Sequence, residues 1–355
     1  MKKVVVKIGS SVIAPGGKLD SGLISRLIKD ILAVEKKGYK AILVSSGAIA
    51  CGLNSLGHRR KPQDMSSLMA ISSFGQIILM DVFNEKFKKY KRMCAQLLLT
   101  WDDFDDRKRF VNINHTIDKL LSMGIIPVIN ENDAVSHDEI RFGDNDRLSA
   151  LVANLIGATE LIMLSDVEGL LEGKVVVKEV SKIDSAVYGL AKKEDKTHTS
   201  GGMLTKLQAA GIAISSGIRT TIAYGRQTKI ISRILADENI GTRFIPSQVK
   251  EKARKRWIAF SKKAKGKIFI DDGARDAILC GGKSLLAVGI TKSEGKFKNG
   301  DAVYVVDIQG RLVGYGIVNY DSLNLKSAKS KKFDKEVIHH DNFVKVFHKD
   351  WACDI

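Results

Sequence analysis

Two lysines stand beside glycine-rich turns. Lys7 precedes the turn Gly9-Ser10-Ser11, and Lys206 follows the paired glycines of the segment 200–206. Glycine lets backbone N–H groups approach a phosphate closely, and a neighbouring lysine neutralises the phosphate charge. The two loops together therefore predict a clamp on a phosphoryl group. Taken singly, the first is also typical of a solvated strand end and the second of a flexible surface loop.

Three further segments collect polar side chains directly after apolar runs. Ser45-Ser46-Gly47 offers free amides and a hydroxyl at a predicted helix N-terminus, which suits a carboxylate or phosphate and equally suits ordinary helix capping. The segments 130–133 and 141–146 have the sequences Asn-Glu-Asn-Asp and Arg-Phe-Gly-Asp-Asn-Asp. This density of acids and amides can bind an ammonium group. The alternative is a polar turn followed by a helix N-cap at Asp146.

The elements that must position these residues alternate between strands and helices. The apolar runs are continuous, not alternating, which is typical of a parallel sheet covered on both faces. The predicted fold is therefore α/β, with ligands at the carboxyl ends of the strands. The main predicted strands are Val4–Ile8, Ala41–Val44, Met93–Leu98, Ile125–Ile129 and Leu161–Leu164. The main predicted helices are Ser21–Lys37, capped by Ser21, Arg147–Ile156 and Thr205–Ser215.

The composition changes after Pro246, where a basic run begins. We predict a domain boundary near residue 250, a basic linker at 251–262 and a second domain at 263–350. Short β-rich runs separated by turn signals predict a small barrel or sandwich there. Its predicted strands are Lys267–Ile270, Ala302–Asp307, Leu312–Val318 and Val344–Phe347.

The composition is that of a globular protein with two domains. The chain has 355 residues, of which 44% are hydrophobic. Its net charge of +17 suits a phosphate-rich ligand or a polyanionic partner, and residues 251–355 hold 21 basic and 13 acidic side chains. No uninterrupted apolar run is long enough to cross a bilayer, and the first residues are typical of a strand, not of a signal peptide. A soluble, cytoplasmic protein without membrane contact is expected.

No cluster of cysteines and histidines predicts a bound metal. The four cysteines are far apart and form no CxxC pair, which argues against zinc-ribbon and thioredoxin motifs. His339-His340 is the only adjacent histidine pair in the sequence, and we predict that it has no acidic or cysteine partner at ligand spacing. We therefore expect no metal site built from protein side chains.

Six segments resemble, in the same order, those of the glutamate 5-kinase family within the amino acid kinase superfamily. They are VVVKIGSSV, VSSGAIACG, PVINENDAV, FGDNDRLSALVA, LSDVEGL and SGGMLTKLQAA, and the resemblance covers nearly the whole chain. INENDAV together with GDND distinguishes this family from acetylglutamate, aspartate, carbamate and uridylate kinases. KRW, DDGA and AILCGGKSLLAVGI are similar to segments of a PUA domain. The resemblance implies an amino acid kinase fold at 1–250, a mainly parallel sheet between helices, and a PUA-like β-rich domain at 263–350.

The resemblance implies ATP-dependent phosphorylation of the L-glutamate side-chain carboxylate to L-glutamyl 5-phosphate, the first step of proline biosynthesis. A carboxylate is already ionised at neutral pH and needs no general base. Catalysis then consists of joining two anions and stabilising charge on the γ-phosphoryl oxygens. Lys7 and Lys206 are implied to contact the transferring group, and Asp146 to hold both lysines in position. Mg²⁺ is implied because the ATP phosphates need a hard cation.

The resemblance also implies which residues bind glutamate and nucleotide. Asp133 is expected to take the substrate ammonium group, and Ser46 with adjacent amides a carboxylate. Arg141 stands where a lysine is usual, and the segment after Gly169 lacks a turn common in these kinases, which predicts a shorter hairpin on the nucleotide side. The implied glutamate-binding residues are Ser46, Asp133 and Asn145, with Asp144 and Asn130 nearby. The implied nucleotide-binding residues are Lys7, Gly9, Arg141, Ser165, Asp166, Ser200, Gly201, Gly202, Met203, Leu204, Thr205 and Lys206.

The resemblance further implies feedback inhibition by proline and a homodimer or homotetramer formed through the kinase domain. Two alternatives stay open: a kinase of the same class acting on another amino acid or a carbamate, and an RNA-binding protein with an inactive kinase domain. The intact set Lys7, Asp146 and Lys206 argues against the second, whereas the basic C-terminal third favours it. Few aromatic residues lie among the basic ones to stack on bases, so RNA contact is expected to be non-specific.

Overall fold

The computed structural model describes residues 2–58, 60–135, 145–194, 202–246, 264–326 and 333–345. The chain divides into two units, Met1–Lys250 and Glu251–Ile355. The first unit is built on a mostly parallel sheet with helices, and the second is small and rich in strands, which confirms the predicted fold class. The linker predicted at 251–262 lies outside the described residues.

The strands of the first unit are labelled in chain order. Among its described residues they are β1 (Lys2–Ile8), β2 (Tyr39–Ser45), β3 (Cys94–Leu99), β4 (Ile126–Glu131), β5 (Glu160–Ser165), β6 (Leu171–Glu172), β7 (Val175–Val176), β8 (Glu179–Val180), β9 (Arg219–Tyr224) and β10 (Thr242–Phe244). The main sheet has the order β3-β4-β2-β1-β5-β9-β10-β8, and only its β9–β10 pair is antiparallel. The five main predicted strands are present, with ends shifted by one or two residues.

Ten α-helices lie within the described residues of the first unit. They are α1 (Ser10–Ile13), α2 (Ser21–Glu35), α3 (Ala48–Ser55), α4 (Met65–Lys88), α5 (Trp101–Asp105), α6 (Arg107–Ser122), α7 (Asn145–Leu155), α8 (Ser185–Glu194), α9 (Met203–Ser215) and α10 (Ile230–Leu235). The α2 helix shows why they form: Leu23, Leu27 and Ile31 recur on one buried face. Its cap was predicted wrongly. Asp20, not Ser21, accepts the Leu23 N–H at 2.9 Å, because Ser21 is already the first helical residue.

The strand order creates a switch point beside β1. The chain passes from β1 to β2 on one side and later returns to β5 on the other side of β1. Lys7 is in register with Val44 of β2 and Met163 of β5, so it lies in the middle of the sheet. In open parallel sheets, ligands bind at the carboxyl ends of strands at such a point. The fold therefore places the end of β1 where a ligand site is expected.

Helices α3 and α4 cross with their backbones in close contact. A Cβ atom at Gly75 would overlap the Ala48 carbonyl oxygen, and one at Gly52 would overlap the Ile71 carbonyl oxygen. The α4 helix is long and apolar enough to cross a membrane by length and composition alone. A helix in the core of a soluble protein can be equally long and apolar. One face of α4, which includes Leu79 and Phe83, is buried in this unit. The two glycines therefore fix α4 against α3 and the sheet.

The second unit is a mixed five-stranded sheet. Its described elements are β11 (Ala264–Ile270), α11 (Asp272–Leu279), β12 (Ile290–Gly295), β13 (Ala302–Asp307), β14 (Leu312–Ile317), α12 (Ser322–Lys326) and β15 (Phe343–Lys345). The sheet order is β12-β11-β13-β14-β15, with β11 and β13 parallel and the other pairs antiparallel. The four predicted strands all correspond to strands here. The predicted end of the last, Phe347, lies outside the described residues.

We expect Gly75→Ala to lower the free energy of unfolding by about 1–3 kcal/mol, because a methyl group at the helix crossing overpacks it. Gly189→Ala in α8 is the matched control: it has open space around the new Cβ and should be neutral or stabilising. Urea denaturation followed by circular dichroism measures both. Equal stability of Gly75→Ala and the wild type would contradict the close crossing.

Candidate active site

Three charged side chains from distant parts of the sequence meet at the end of β1. Lys7 lies near the end of β1, Asp146 is the second residue of α7, and Lys206 lies in the first turn of α9. The Lys7 ammonium contacts one carboxylate oxygen of Asp146, and the Lys206 ammonium lies 3.2 Å from the other. All three residues are buried, with Asp146 0% exposed. We call this group the buried triad. The structure thus brings together the three residues predicted to be catalytic.

The triad carries two positive charges around one negative charge. Burial acts to raise the pKa of Asp146, but Lys7, Lys206 and the Thr205 hydroxyl outweigh it and hold the pKa below its ordinary value. The Thr205 hydroxyl donates to Asp146 at 3.0 Å. Asp146 is therefore an ionised partner of the lysines and not the helix cap considered from the sequence. The excess positive charge of the pair favours an anion at this place.

The second group of side chains forms a hydrogen-bonded chain across the ends of β2 and β4. The Asn145 amide Nδ2 donates to the Ser46 hydroxyl and to the Asn130 Oδ1, both at 2.9 Å. Asn130 in turn donates from Nδ2 to the Gln76 Oε1 at 2.7 Å. Asn130, Asn145 and Gln76 are buried, and Ser46 is half-buried. We call these four residues the amide chain.

One atom of the amide chain has no partner among the described residues. The Asn145 Oδ1 is buried and accepts no hydrogen bond from them. Asp133 is half-buried two residues beyond the end of β4, and it accepts a hydrogen bond from the Ser72 hydroxyl. A buried carbonyl oxygen without a donor and a carboxylate are both suited to an ammonium group. Because Asn145 and Asp146 are consecutive residues, the amide chain and the buried triad are adjacent.

The residues predicted on the nucleotide side lie along the ends of β1 and β5. The Gly9 N–H donates to the Leu164 carbonyl at 3.0 Å, and a Cβ at Gly9 would lie 3.2 Å from that oxygen, so the two strands approach closely there. The Ser165 hydroxyl donates to the exposed Asp166 at 3.1 Å. Strands β6 and β7 form a two-stranded hairpin after Gly169. This places Gly9, Ser165 and Asp166 on the β5 side of the switch point.

The glycine loop before α9 is described from Gly202 onward. Gly202 has extended backbone and is the N-cap residue of α9, and the Thr205 hydroxyl oxygen, which contacts Asp146, lies 2.9 Å from the Gly202 carbonyl oxygen. Met203 is buried, and Leu204 and Thr205 are half-buried. Four other predicted site residues lie outside the described part of the chain: Arg141, Asp144, Ser200 and Gly201.

Sequence reasoning missed two residues of the site, Ser72 and Gln76. Both lie on the buried face of α4, 2% and 8% exposed, and each contacts a residue that the sequence had assigned to glutamate binding. The signal was a hydroxyl and an amide, four positions apart, on an otherwise apolar helix face. Buried polar side chains need partners, so such positions indicate a polar network.

The histidine pair of the second unit does have an acidic neighbour, contrary to the prediction. The Asp341 carboxylate lies 3.9 Å from the His339 Nδ1 and 3.8 Å from the His340 Nε2, because a 3-10 turn at His340–Asn342 brings the three side chains together. The His339 Nδ1 already accepts the Asp341 backbone N–H at 3.1 Å. That hydrogen bond gives His339 a structural role in capping the turn.

Known proteins resemble this chain over almost its whole length. Residues 2–224 match the amino acid kinase family, and residues 266–340 match the PUA domain. The chain is 42% identical over 363 residues to a glutamate 5-kinase from Dictyoglomus turgidum, covering 97% of each. It is 40% identical over 361 residues to a glutamate 5-kinase from Caldanaerobacter subterraneus subsp. tengcongensis, covering 96% of this chain and 97% of the relative. A carbamate kinase from Giardia lamblia bound to AMP-PNP is a structural neighbour at 18% identity and a TM-score of 0.49, covering 69% of this chain and 99% of its own.

We expect Asp146→Asn to lower the free energy of unfolding by about 3–5 kcal/mol, because it removes the negative charge that both buried ammonium groups contact. Asp118→Asn is the control: it breaks the solvent-exposed Lys3–Asp118 pair and should cost about 1 kcal/mol or less. Urea denaturation near neutral pH measures both.

The Asp146→Asn variant also tests how the free energy of unfolding depends on pH. The folded pKa of Asp146 lies below its unfolded value, so the stability from its charge is present above the unfolded pKa and is lost as the pH falls through the folded one. The stability difference between the wild type and Asp146→Asn should therefore shrink as the pH falls through that range. A difference that is independent of pH would contradict the assignment of an ionised Asp146.

Proposed function

The chain belongs to the amino acid kinase family and, within it, to the glutamate 5-kinases, and from this premise we propose how its residues divide the reaction. The enzyme transfers the γ-phosphoryl group of ATP to the side-chain carboxylate of L-glutamate, which gives L-glutamyl 5-phosphate for proline biosynthesis. The function predicted from the sequence is thereby confirmed. The main support for this division of roles is that the buried triad and the amide chain are adjacent, because Asn145 and Asp146 are consecutive residues.

The buried triad is proposed to act on the transferring phosphoryl group. A glutamate carboxylate oxygen forms a bond to the γ-phosphorus while the bond to the β,γ-bridging oxygen breaks and ADP leaves. No proton is transferred, because the nucleophile is already a carboxylate. The barrier then comes from bringing two anions together and from charge on the phosphoryl oxygens. Lys7 and Lys206 supply fixed positive charge there, and Asp146 keeps the two ammonium groups in place before substrates bind.

Mg²⁺ is proposed to enter as its complex with ATP. Asp146 is already bound by two lysines and the Thr205 hydroxyl, so its carboxylate does not suit a metal ligand. Mg²⁺ keeps several water ligands and binds well to phosphate oxygens. Bound in this way, the ion would neutralise part of the charge on the β- and γ-phosphates. The exposed Asp166, at the end of β5, is the acidic residue on the nucleotide side that can face such a complex.

Three residues of the amide chain, Ser46, Asn130 and Asn145, are proposed to bind glutamate together with Asp133. The Asn145 Oδ1, which has no donor among the described residues, and the Asp133 carboxylate suit the substrate ammonium group. The Ser46 hydroxyl, at the end of β2, suits a substrate carboxylate. Proline has the same α-carboxylate beside an amine, which supports competitive feedback inhibition at this subsite. Gly9, Ser165, Asp166 and the segment Gly202–Lys206, on the other side of the switch point, are proposed to bind ATP.

The second unit is proposed to be separate from the chemistry. All the described residues to which we give a catalytic or substrate-binding role lie in the first unit. Diffuse basic charge on the PUA domain supports only non-specific, salt-sensitive contact with RNA. We also propose that the protein is cytoplasmic and assembles into a homodimer or homotetramer. Both proposals rest on the resemblance to this family of soluble enzymes.

Lys7→Ala and Lys206→Ala should each lower kcat by about 10²–10³ with a much smaller change in KM for glutamate, because both lysines act on charge that develops in the transition state. Activity is measured with hydroxylamine, which traps an acyl phosphate as a hydroxamate and does not trap a phosphoester. The same assay with a panel of other amino acids and carbamate tests the rival substrates. Lys108→Ala, an exposed lysine on α6, is the control and should stay within about twofold of the wild type. A near-normal kcat in either variant would show that the substituted lysine does not act on the transferring phosphoryl group.

Asp133→Ala should raise KM for glutamate at least about tenfold and weaken competitive inhibition by proline, since a hydrogen bond to a charged group contributes about 1.5–3 kcal/mol. KM for ATP should hardly change. Steady-state kinetics with each substrate varied measures this, with the exposed Asp81→Ala of α4 as control. A larger effect on ATP than on glutamate would mean that the two halves of the site are assigned the wrong way round.

A further inference from the structure

Helix α4 presents two polar side chains to the glutamate side of the site. Ser72 and Gln76 are one helical turn apart on its buried face, and Gly75 lies between them at the crossing with α3. The exposed residues Ser73 and Asn84 lie on other faces of the same helix. Because Gly75 brings the α4 backbone against Ala48, the position of Ser72 and Gln76 is fixed relative to the end of β2.

The Asn130 amide is held at both ends. Its Nδ2 donates to the Gln76 Oε1, and its Oδ1 accepts from the Glu131 backbone N–H and from the Asn145 Nδ2. The Asn145 Nδ2 also donates to the Ser46 hydroxyl. Asn145 is left with its Oδ1 as the atom without a donor among the described residues. An amide has one donor end and one acceptor end, so a partner at each end of Asn130 fixes the end that faces Asn145, and Gln76 is that partner on the α4 side.

The Ser72 hydroxyl acts in the same way on Asp133. It donates to one carboxylate oxygen of Asp133, and Ser72 itself is 2% exposed. A carboxylate at a strand end can rotate about two side-chain bonds, and a buried donor restricts that rotation. Ser72 and Gln76 thus each restrain one of the groups suited to an ammonium ion.

We propose that Gln76 and Ser72 are positioning residues that set the affinity of the enzyme for its amino acid substrate. Gln76 acts through its Oε1 on Asn130 and thereby on Asn145 and Ser46, and Ser72 acts on Asp133. Neither residue contacts the buried triad in the described hydrogen bonds, so they control glutamate binding and not phosphoryl transfer. This inference rests on the proposed function and adds to it a set of residues on α4.

The test compares two substitutions of Gln76. Gln76→Met has nearly the same size and lacks the acceptor, so it should raise KM for glutamate about tenfold, as expected for the loss of a hydrogen bond of about 1.4 kcal/mol. The kcat and the KM for ATP should stay within about twofold. Gln76→Glu keeps an acceptor oxygen toward the Asn130 Nδ2 and should restore most of the glutamate affinity. Asn84→Met, an exposed amide on the same helix, is the control.

Ser72→Ala gives a second, independent readout. It should raise KM for glutamate and leave KM for ATP unchanged, whereas Ser73→Ala, an exposed serine one position along, should change neither. Thermal unfolding of every variant accompanies the kinetics. Because Ala and Met are compatible with a helix, a folded protein is expected in each case.

Several outcomes would overturn the inference. An unchanged KM for glutamate in Gln76→Met would do so, and so would equal rises of both KM values together with a lower melting temperature, which indicate a merely structural role. A wild-type enzyme that forms no hydroxamate from glutamate would contradict the proposed function itself, and so is distinguishable from these results.

Discussion

The structure of this kinase domain depends on keeping two lysine ammonium groups buried and close together. Lys7 and Lys206 repel each other, and removing either from water is costly unless a counter-charge lies beside it. Asp146 supplies that counter-charge and is itself ionised because of the lysines. The three residues come from β1, α7 and α9, so the two ion pairs of one carboxylate join the first strand of the sheet to two helices. What remains is a net positive charge at the carboxyl end of β1, ready for a phosphoryl group.

The sheet topology places the residues proposed to bind the two substrates on either side of this charge. Strands β2 and β4 end on one side of β1, with Ser46 and Asn130, and β5 ends on the other, with Ser165. The α7 helix begins where the two sides meet, and its first two residues, Asn145 and Asp146, serve one side each. We propose that these neighbouring residues of one helix bring the glutamate carboxylate and the γ-phosphate together. This is the proximity that a reaction between two anions requires.

The sequence was most informative about features that depend on residues close together in the chain. Lys7 and Lys206 are marked by nearby glycines, and continuous apolar runs predicted the parallel sheet and so the fold class. The family was predicted from the resemblance of six sequence segments to those of known kinases. Contacts that depend on tertiary packing could not be predicted in this way. Gln76 meets Asn130 across 54 residues of sequence, and only the close helix crossing at Gly75 makes that contact possible. The helical periodicity could show that Gln76 lies on the buried face and needs a partner, but it could not show that the partner is Asn130.

We propose that the lysines stabilise the transferring phosphoryl group and not the bound nucleotide in general. Isothermal titration of ADP with aluminium fluoride in the presence of glutamate and Mg²⁺, which mimics the planar phosphoryl group, tests it in the wild type and in Lys206→Ala. The account predicts that the variant loses about 10²–10³ in affinity for this complex and only a few-fold for ADP alone. Equal losses for ADP and for the aluminium fluoride complex would contradict it.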